Sequence, residues 1–219
     1  MENNFQYKTI NSPGYGEYRD RGSKFLAHIF PIVNGEEAGN ALEGIRKLHG
    51  KANHHCFAWR LGLDGLKYRA NDDGEPSGTA GKPILGQIDS NGLTNVLIVV
   101  TRYFGGTLLG TSGLINAYRL AAAAAIDNAG VIEKELSDYY VFYCDYGKMP
   151  LIMDAAKKYD LTILKQSFDL NCELTIQFPK SKWDGKLPQF IAQALSLRTD
   201  QVDHTLLLPH LKWELQGTW

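Results

Sequence analysis

Apolar positions recur along the chain with two periods. Residues 24–33 alternate as a strand does, and residues 36–49 place Ala38, Leu42, Ile45 and Leu48 at helical spacing before Gly50 stops the pattern. Residues 54–62 and 66–70 read as two strands flanking a Leu63-Asp64-Gly65 turn, in which Asp-Gly is a strong hairpin dipeptide. Residues 71–81, rich in Gly, Asp and Pro, read as a loop running into a helix. Within 93–103 the run Val96-Leu97-Ile98-Val99-Val100 is continuous rather than alternating, which suits a strand covered on both faces. A second glycine-rich loop spans 105–113, and an alanine-rich helix spans 114–128, ended by Asn128-Ala129-Gly130. Ahead of these elements, residues 12–22 carry three glycines and a proline among charges and are expected to form an exposed loop.

The pattern then restarts. It predicts a strand over 138–144, a helix over 147–159, a hairpin from 161–168 and 171–178, a helix over 183–197 and a last strand over 205–211. The order β-α-β-β-α-β is the ferredoxin-like unit. Two domains are therefore expected, 1–131 and 137–219, joined where Glu133-Lys134-Glu135 supplies a charged connector. The expected fold class is α/β for the first domain and α+β for the second.

Composition narrows the function classes. At 44% hydrophobic and 21% charged residues, disorder, collagen and a disulfide-knit scaffold are excluded as descriptions of the whole chain. Twenty-three Lys and Arg against 24 Asp and Glu give a formal net charge of -1, which argues against a protein that coats nucleic acid but allows a local basic patch. Cys56, Cys144 and Cys172 have no short metal or redox spacing and read as buried residues in a reducing compartment. Neither a secretory signal nor a stretch long enough to cross a bilayer is visible, so a cytoplasmic location without membrane contact is expected.

Candidate chemistry concentrates in two segments, 71–83 and 101–113. Gly permits close approach of a ligand to the backbone, and amides at a helix start hold an anion when no side chain caps them. In this pattern Ser77, Thr79, Gly105, Gly106, Ser112 and Gly113 are candidate cradle residues, and Arg102, ending a buried strand, is a candidate partner for phosphate or carboxylate. The plainer reading is that these are tight turns, with Thr79 and Ser112 as N-caps. Neither segment is a nucleotide motif: Pro76 and Pro83 stand where a phosphate loop ending at Lys82 needs Gly and Ser or Thr, and the second glycine of 105–110 is misplaced for a dinucleotide fingerprint. Asp72, Asp73 and Glu75 are the residue types that hold Mg²⁺, but they equally make a solvated turn around Asp73-Gly74, and no metal or other cofactor is assigned. His54 and His55 point to opposite faces of a strand, so one of them lines a site at most. No catalytic triad is readable.

The same segments resemble the Impact/YigZ family. The match rests on residues 72–85, on Val99-Val100-Thr101-Arg102-Tyr103-Phe104-Gly105-Gly106, on Leu109-Gly110, Gly113-Leu114 and Ala117-Tyr118, and upstream on Gly22-Ser23-Lys24-Phe25 and residues 52–58. The resemblance implies a ribosomal-protein-like α/β first domain, of the kind found as the second domain of elongation-factor-type proteins, and a ferredoxin-like second domain similar to one in elongation factor G. It brings no enzymatic activity. Eukaryotic members regulate translation by protein–protein contact and carry an extra N-terminal domain, which is expected to be missing here. For bacterial members it suggests contact with nucleic acid or the ribosome. Relatives often carry Lys, Gly and Arg where Leu108, Ser112 and Asn116 stand, and each lost phosphate contact would remove ~0.9 from a salt slope.

The leading expectation is therefore a non-enzymatic binding protein acting on RNA, the ribosome or a translation-related protein. Lys24, Lys82 and Arg102 would be its cations, and Tyr103, Phe104 and His54 its stacking groups. The alternative is a phosphate-ligand or nucleotide-binding protein, conceivably an enzyme, that uses the glycine loops as a cradle. Arg102 is expected at the surface, because Arg is seldom fully buried without a partner. Trp213 and Trp219 would suit a partner surface if exposed.

Overall fold

A computed structural model describes residues 5–63, 65–169, 172–202 and 211–218. It contains two units, Tyr7–Lys134 and Glu135–Trp219 together with Met1–Gln6. The first comprises β1 (Gln6–Ile10), β2 (Gly14–Asp20), β3 (Ser23–Pro31), α1 (Gly35–Leu48), β4 (His54–Leu61), β5 (Lys67–Asn71), α2 (Gly81–Ser90), β6 (Val96–Tyr103), α3 (Gly110–Ala129) and β7 (Val131–Glu135). Five strands form a sheet of order β2-β3-β6-β4-β5, while β1 pairs with β7. Every pairing within the five-stranded sheet is antiparallel.

The continuous apolar run of β6 explains the layering. It is the central strand, and its side chains alternate between two cores. Ile98 and Val100 pack with α2 and α3 on one face, and Leu97 and Val99 pack with Ala38 and Ile45 of α1 on the other. Helix α1 begins where Asn34 accepts the Glu37 N–H at 2.8 Å and Glu37 in turn accepts the Val33 N–H at 3.0 Å. Glu36 and Glu37 in its first turn and Arg46 and Lys47 in its last complement the helix dipole.

The segment 12–22, expected as an exposed loop, contains strand β2. Its glycines serve close packing instead of chain reversal. A Cβ at Gly16 would come within 2.4 Å of the Ala125 nitrogen, and one at Gly14 within 2.6 Å of Ala129 Cβ. The small side chains of α3 and the bare backbone of β2 are two halves of one tight contact. Residues 131–135, expected as a charged connector, form β7, so their charges line an edge pair.

The second unit contains β8 (Ser137–Cys144), α4 (Met149–Lys158), β9 (Thr162–Phe168), β10 (Cys172–Pro179), α5 (Lys180–Trp183), α6 (Leu187–Leu195) and β11 (Leu211–Thr218). Its sheet has the order β11-β8-β10-β9, with antiparallel neighbours throughout. Phe142, Phe178 and Phe190 centre its core, and Trp183 and Trp213 pack against it from partly buried positions. The single helix expected over 183–197 is two. The break falls at Gly185, whose φ of +68° suits glycine, and Pro188 sits in the first turn of α6. The final strand, expected over 205–211, is described from Leu211 onward. Asp64 of the expected turn, Asn171 at the start of the expected hairpin strand, residues 203–210 and Trp219 lie outside the described residues. All three cysteines are buried free thiols.

Two glycines in the first unit should respond oppositely to the same substitution. Gly16→Ala overpacks the β2–α3 contact and should lower unfolding free energy by about 1–3 kcal/mol. Gly39 is exposed within α1, and a Cβ added there would meet no atom within 4 Å, so it should tolerate Ala and gain about 0.5–1 kcal/mol. Urea denaturation of both variants at neutral pH checks the pair.

Candidate functional site

Sheet register sets the site. His54 of β4 and Phe25 of β3 lie directly opposite Arg102 of β6, on either side of it, so all three share the face that α2 and α3 cover. Arg102 is only 5% exposed. Its Nη1 donates to Glu75 Oε1 at 2.7 Å, its Nη2 lies 3.5 Å from Ser23 Oγ, and Phe25 and Phe104 place their rings 5.4 Å from the guanidinium carbon. Its buried Nε has no partner among the described residues. Glu75 Oε1 also accepts the Tyr118 hydroxyl at 2.7 Å. Cys56 Sγ completes the cluster, 3.3 Å from Tyr118 Oη and 3.0 Å from the Asp72 carbonyl oxygen. Burial pushes the Cys56 thiol far up, and the neighbouring carboxylates add to the rise, so it stays protonated and is no nucleophile.

The first loop is folded around Asp72. Its carboxylate accepts N–H groups from Gly78 at 2.9 Å, Ala80 at 3.0 Å and Gly81 at 2.8 Å. Burial alone would raise the Asp72 carboxyl, but the three amides outweigh it and hold the group below its usual range. Asp72 thus caps α2 from eight residues before the helix cap, and the amides that a phosphate would use are already occupied. Thr79 donates its hydroxyl to the Pro76 carbonyl at 2.7 Å and is not the helix cap. Asp73, at φ +43°, accepts the His55 N–H at 2.7 Å and lies 3.3 Å from Arg46 Nη2. The Asp73 carbonyl oxygen sits 2.8 Å from His54 Nδ1. A carbonyl only accepts, so Nδ1 carries the proton and Nε2 faces Glu75 Oε1 at 3.9 Å. No group of three or more His, Cys, Asp or Glu among the described residues is arranged to hold a metal ion.

The second loop divides in two. Gly105 is pressed against the chain, since a Cβ there would lie 1.9 Å from the Gly22 carbonyl carbon. Its glycine therefore answers to chain packing and leaves no room for a ligand. From Gly110, at φ +73°, the chain is already α3, four residues before the expected start. Leu109 is the N-cap and provides no side-chain hydrogen bond, and no other side chain among the described residues caps the first turn of this 20-residue helix. Gly110 and Thr111 of that turn line a cavity of about 460 Å³. Its polar lining is Asn53, His54, Glu75, Arg102 and Thr111; its apolar lining is Pro76, Phe104, Leu108, Leu109 and Leu114.

Of the residues singled out from sequence, the structure brings His54, Glu75 and Arg102 together, with Asp72 and Asp73 behind them as scaffolding. Arg102, expected at the surface, is buried because Glu75, 27 residues earlier in the chain, neutralises it. Lys24 and Tyr103 are register partners on the opposite face of the sheet, where Lys24 pairs with Glu17 at 3.4 Å and Tyr103 Oη meets His49 Nδ1 at 3.1 Å. The three expected cations thus do not converge: Lys82 is exposed on α2, Lys24 lies across the sheet and Arg102 is spent on Glu75. Ser77, Gly106 and Ser112 are exposed away from the lining, and a Cβ at Gly113 would lie 3.0 Å from Leu109 Cβ. The sequence reading missed Asn53, Leu109, Thr111 and Leu114 in the lining and Tyr118 beneath it. The spacing of Leu114 and Tyr118 on one helical face was the available signal.

Residues 21–126 match the Impact N-terminal domain. An IMPACT family member of Haemophilus influenzae is 36% identical over 176 residues, covering 78% of this chain and 84% of that protein. The chain belongs to the IMPACT family. The Escherichia coli family member YigZ is 34% identical over 185 residues, covering 82% of this chain and 89% of its own. A crystal structure described as that of a hypothetical protein aligns with a TM-score of 0.66 at 30% identity, over 87% of this chain and 92% of the other. In this member of the IMPACT family Leu108 stands 82% exposed at the cavity mouth, beside the half-exposed Phe104.

Arg102→Ala should cost about 3–5 kcal/mol in urea denaturation, because it leaves the Glu75 charge buried and unpaired. Arg102→Met combined with Glu75→Gln should recover much of that loss. Across the sheet, burial holds the imidazoles of His28 and His49 below the usual histidine value, their mutual repulsion adding to His28 and the charges of His55 and Lys24 adding to His49. Tyr15, Phe30 and Tyr103 complete their surroundings. The unfolded chain then takes up protons that the native state refuses, so stability is complete above the ordinary value of 6.5 and falls as pH drops below it. Unfolding measured between pH 8 and 5 should show that decline, and His28→Leu should flatten it.

Proposed function

We propose that this protein is a translation-related regulatory binding protein, not a catalyst, and that it contacts a protein partner through the cavity of its first unit. The observation that carries the reading is the mouth of that cavity, where Leu108 and Phe104 stand exposed above a floor whose charges are already paired. An exposed apolar rim over a neutralised floor suits a polypeptide better than a phosphate backbone. Family membership supports the translation-related role; the choice of a protein partner rests on the cavity mouth, since the family resemblance implies protein–protein contact for eukaryotic members and nucleic-acid or ribosome contact for bacterial ones. RNA or ribosomal contact and the phosphate-cradle alternative are the weaker readings, because Lys24, Lys82 and Arg102 lie apart and Asp72 fills the amides of the first loop.

The remaining fold and location readings belong to the same proposal. The strand order β11-β8-β10-β9 with two helices on its core side supports a ferredoxin-like second domain. The first unit is read as the ribosomal-protein-like domain, with the division at 131–137 as the domain boundary. No helix among the described residues is long and apolar enough to cross a membrane, which is compatible with the cytoplasmic location proposed.

The test is affinity isolation of the tagged wild-type and Leu108→Asp chains from cells, each with and without nuclease. The reading expects translation-related proteins that survive nuclease and are lost from the Leu108→Asp sample while its melting temperature is unchanged. Association abolished by nuclease would transfer the function to nucleic acid, and an unaltered partner set in the variant would remove the cavity from the contact.

A further inference from the structure

The cavity has one open demand that nothing among the described residues meets. The two glycine segments both lead into helices, but they end differently. At α2 the internal carboxylate of Asp72 takes the amides of Ala80 and Gly81. At α3 no side chain among the described residues caps the helix, and Gly110 and Thr111 line the cavity. A second observation points the same way. Arg102 lines the same cavity while only 5% exposed, and its buried Nε has no partner among the described residues. An uncapped 20-residue helix beside a guanidinium with unused donor capacity is a place where an acceptor group is missing.

The charge balance says which acceptor. Arg102 and Glu75 cancel one another at 2.7 Å, so the floor contributes no full positive charge, and the remaining field is the roughly half charge of the α3 dipole. That suits a monoanion and not a phosphate dianion. The walls suit an apolar body: Phe104, Leu108, Leu109 and Leu114 surround the helix start. A volume of about 460 Å³ holds a short stretch of peptide. We infer that the cavity binds the C-terminus of a partner polypeptide that ends in an apolar residue, the free α-carboxylate capping α3 at Gly110 and Thr111 and the terminal side chain packing against Leu108, Leu109 and Leu114. This inference rests on the protein-partner reading above and names the part of the partner that enters. It also gives Asp72 a counterpart: the first helix carries its capping carboxylate within the chain, and the second receives one from outside.

The probes are N-acetyl-Ala-Leu with a free carboxylate, its C-terminal amide, and octanoate, each titrated into the full chain by calorimetry. The acid should bind and the amide should bind about tenfold or more weakly, a difference of about 1.4 kcal/mol or more. Thr111→Asp places a carboxylate in the first turn, where it favours the helix, so that variant should melt no lower than the wild type yet lose binding of the acid. Thr111→Gln should keep it. Equal binding of acid and amide overturns the carboxylate inference. Octanoate binding as tightly as the peptide overturns the polypeptide source, and retention of acid binding by a folded Thr111→Asp chain overturns the placement at α3. Absence of binding by every probe overturns the inference as a whole. Leu108-dependent partner capture is scored separately, so the inference can fail while the protein-partner reading stands.

Discussion

The first unit is organised around the buried contact between Arg102 and Glu75. One partner ends the central strand of the sheet, and the other sits in the loop that precedes α2, so a single 2.7 Å bond ties the two glycine-rich segments together. Tyr118 reaches the same carboxylate oxygen from α3, which brings a third element to the junction. Neither charge is tolerable alone at this depth, so the pair makes the arrangement close to all-or-none. The floor of the cavity is nearly neutral for that reason, and the chemistry open to a partner is left to the helix start and the apolar rim.

Two segments of similar composition reach opposite states. In the first, Asp72 turns back on the loop and supplies the acceptor for the amides of α2. In the second, Gly105 is consumed by contact with the Gly22 backbone, and α3 begins under a leucine that has no side-chain acceptor to give. Glycine content alone does not distinguish these cases. The difference lies in whether a short carboxylate stands at a reachable distance before the helix.

Much of the architecture was legible from periodicity. The run at 96–100 announced a strand covered on both faces, and the spacing of Ala38, Leu42, Ile45 and Leu48 announced α1, because burial there follows the strand and helix periods directly. Strand β2 was not legible: Gly14 and Gly16 look like loop residues until the alanines of α3, more than 100 residues later, are seen to need their missing side chains. The early start of α3 was hidden likewise, since Gly110 disguises a helix terminus as loop. Within the site, the separation of Arg102 from Tyr103 was readable in principle, because adjacent strand residues face opposite ways. The burial of Arg102 was not, since it depends on a carboxylate brought from another segment by the fold.

The helix start after the first loop is closed by the chain's own carboxylate, whereas no side chain among the described residues closes the start after the second. Amide hydrogen exchange of the full chain, read residue by residue by NMR, tests it most directly. Slow exchange is expected at Ala80 and Gly81, bonded to Asp72, and fast exchange at Thr111 and Ser112 in the first turn of α3. Equally slow exchange at both helix starts in the unliganded protein would contradict it, because the amides of α3 would then already have their partners.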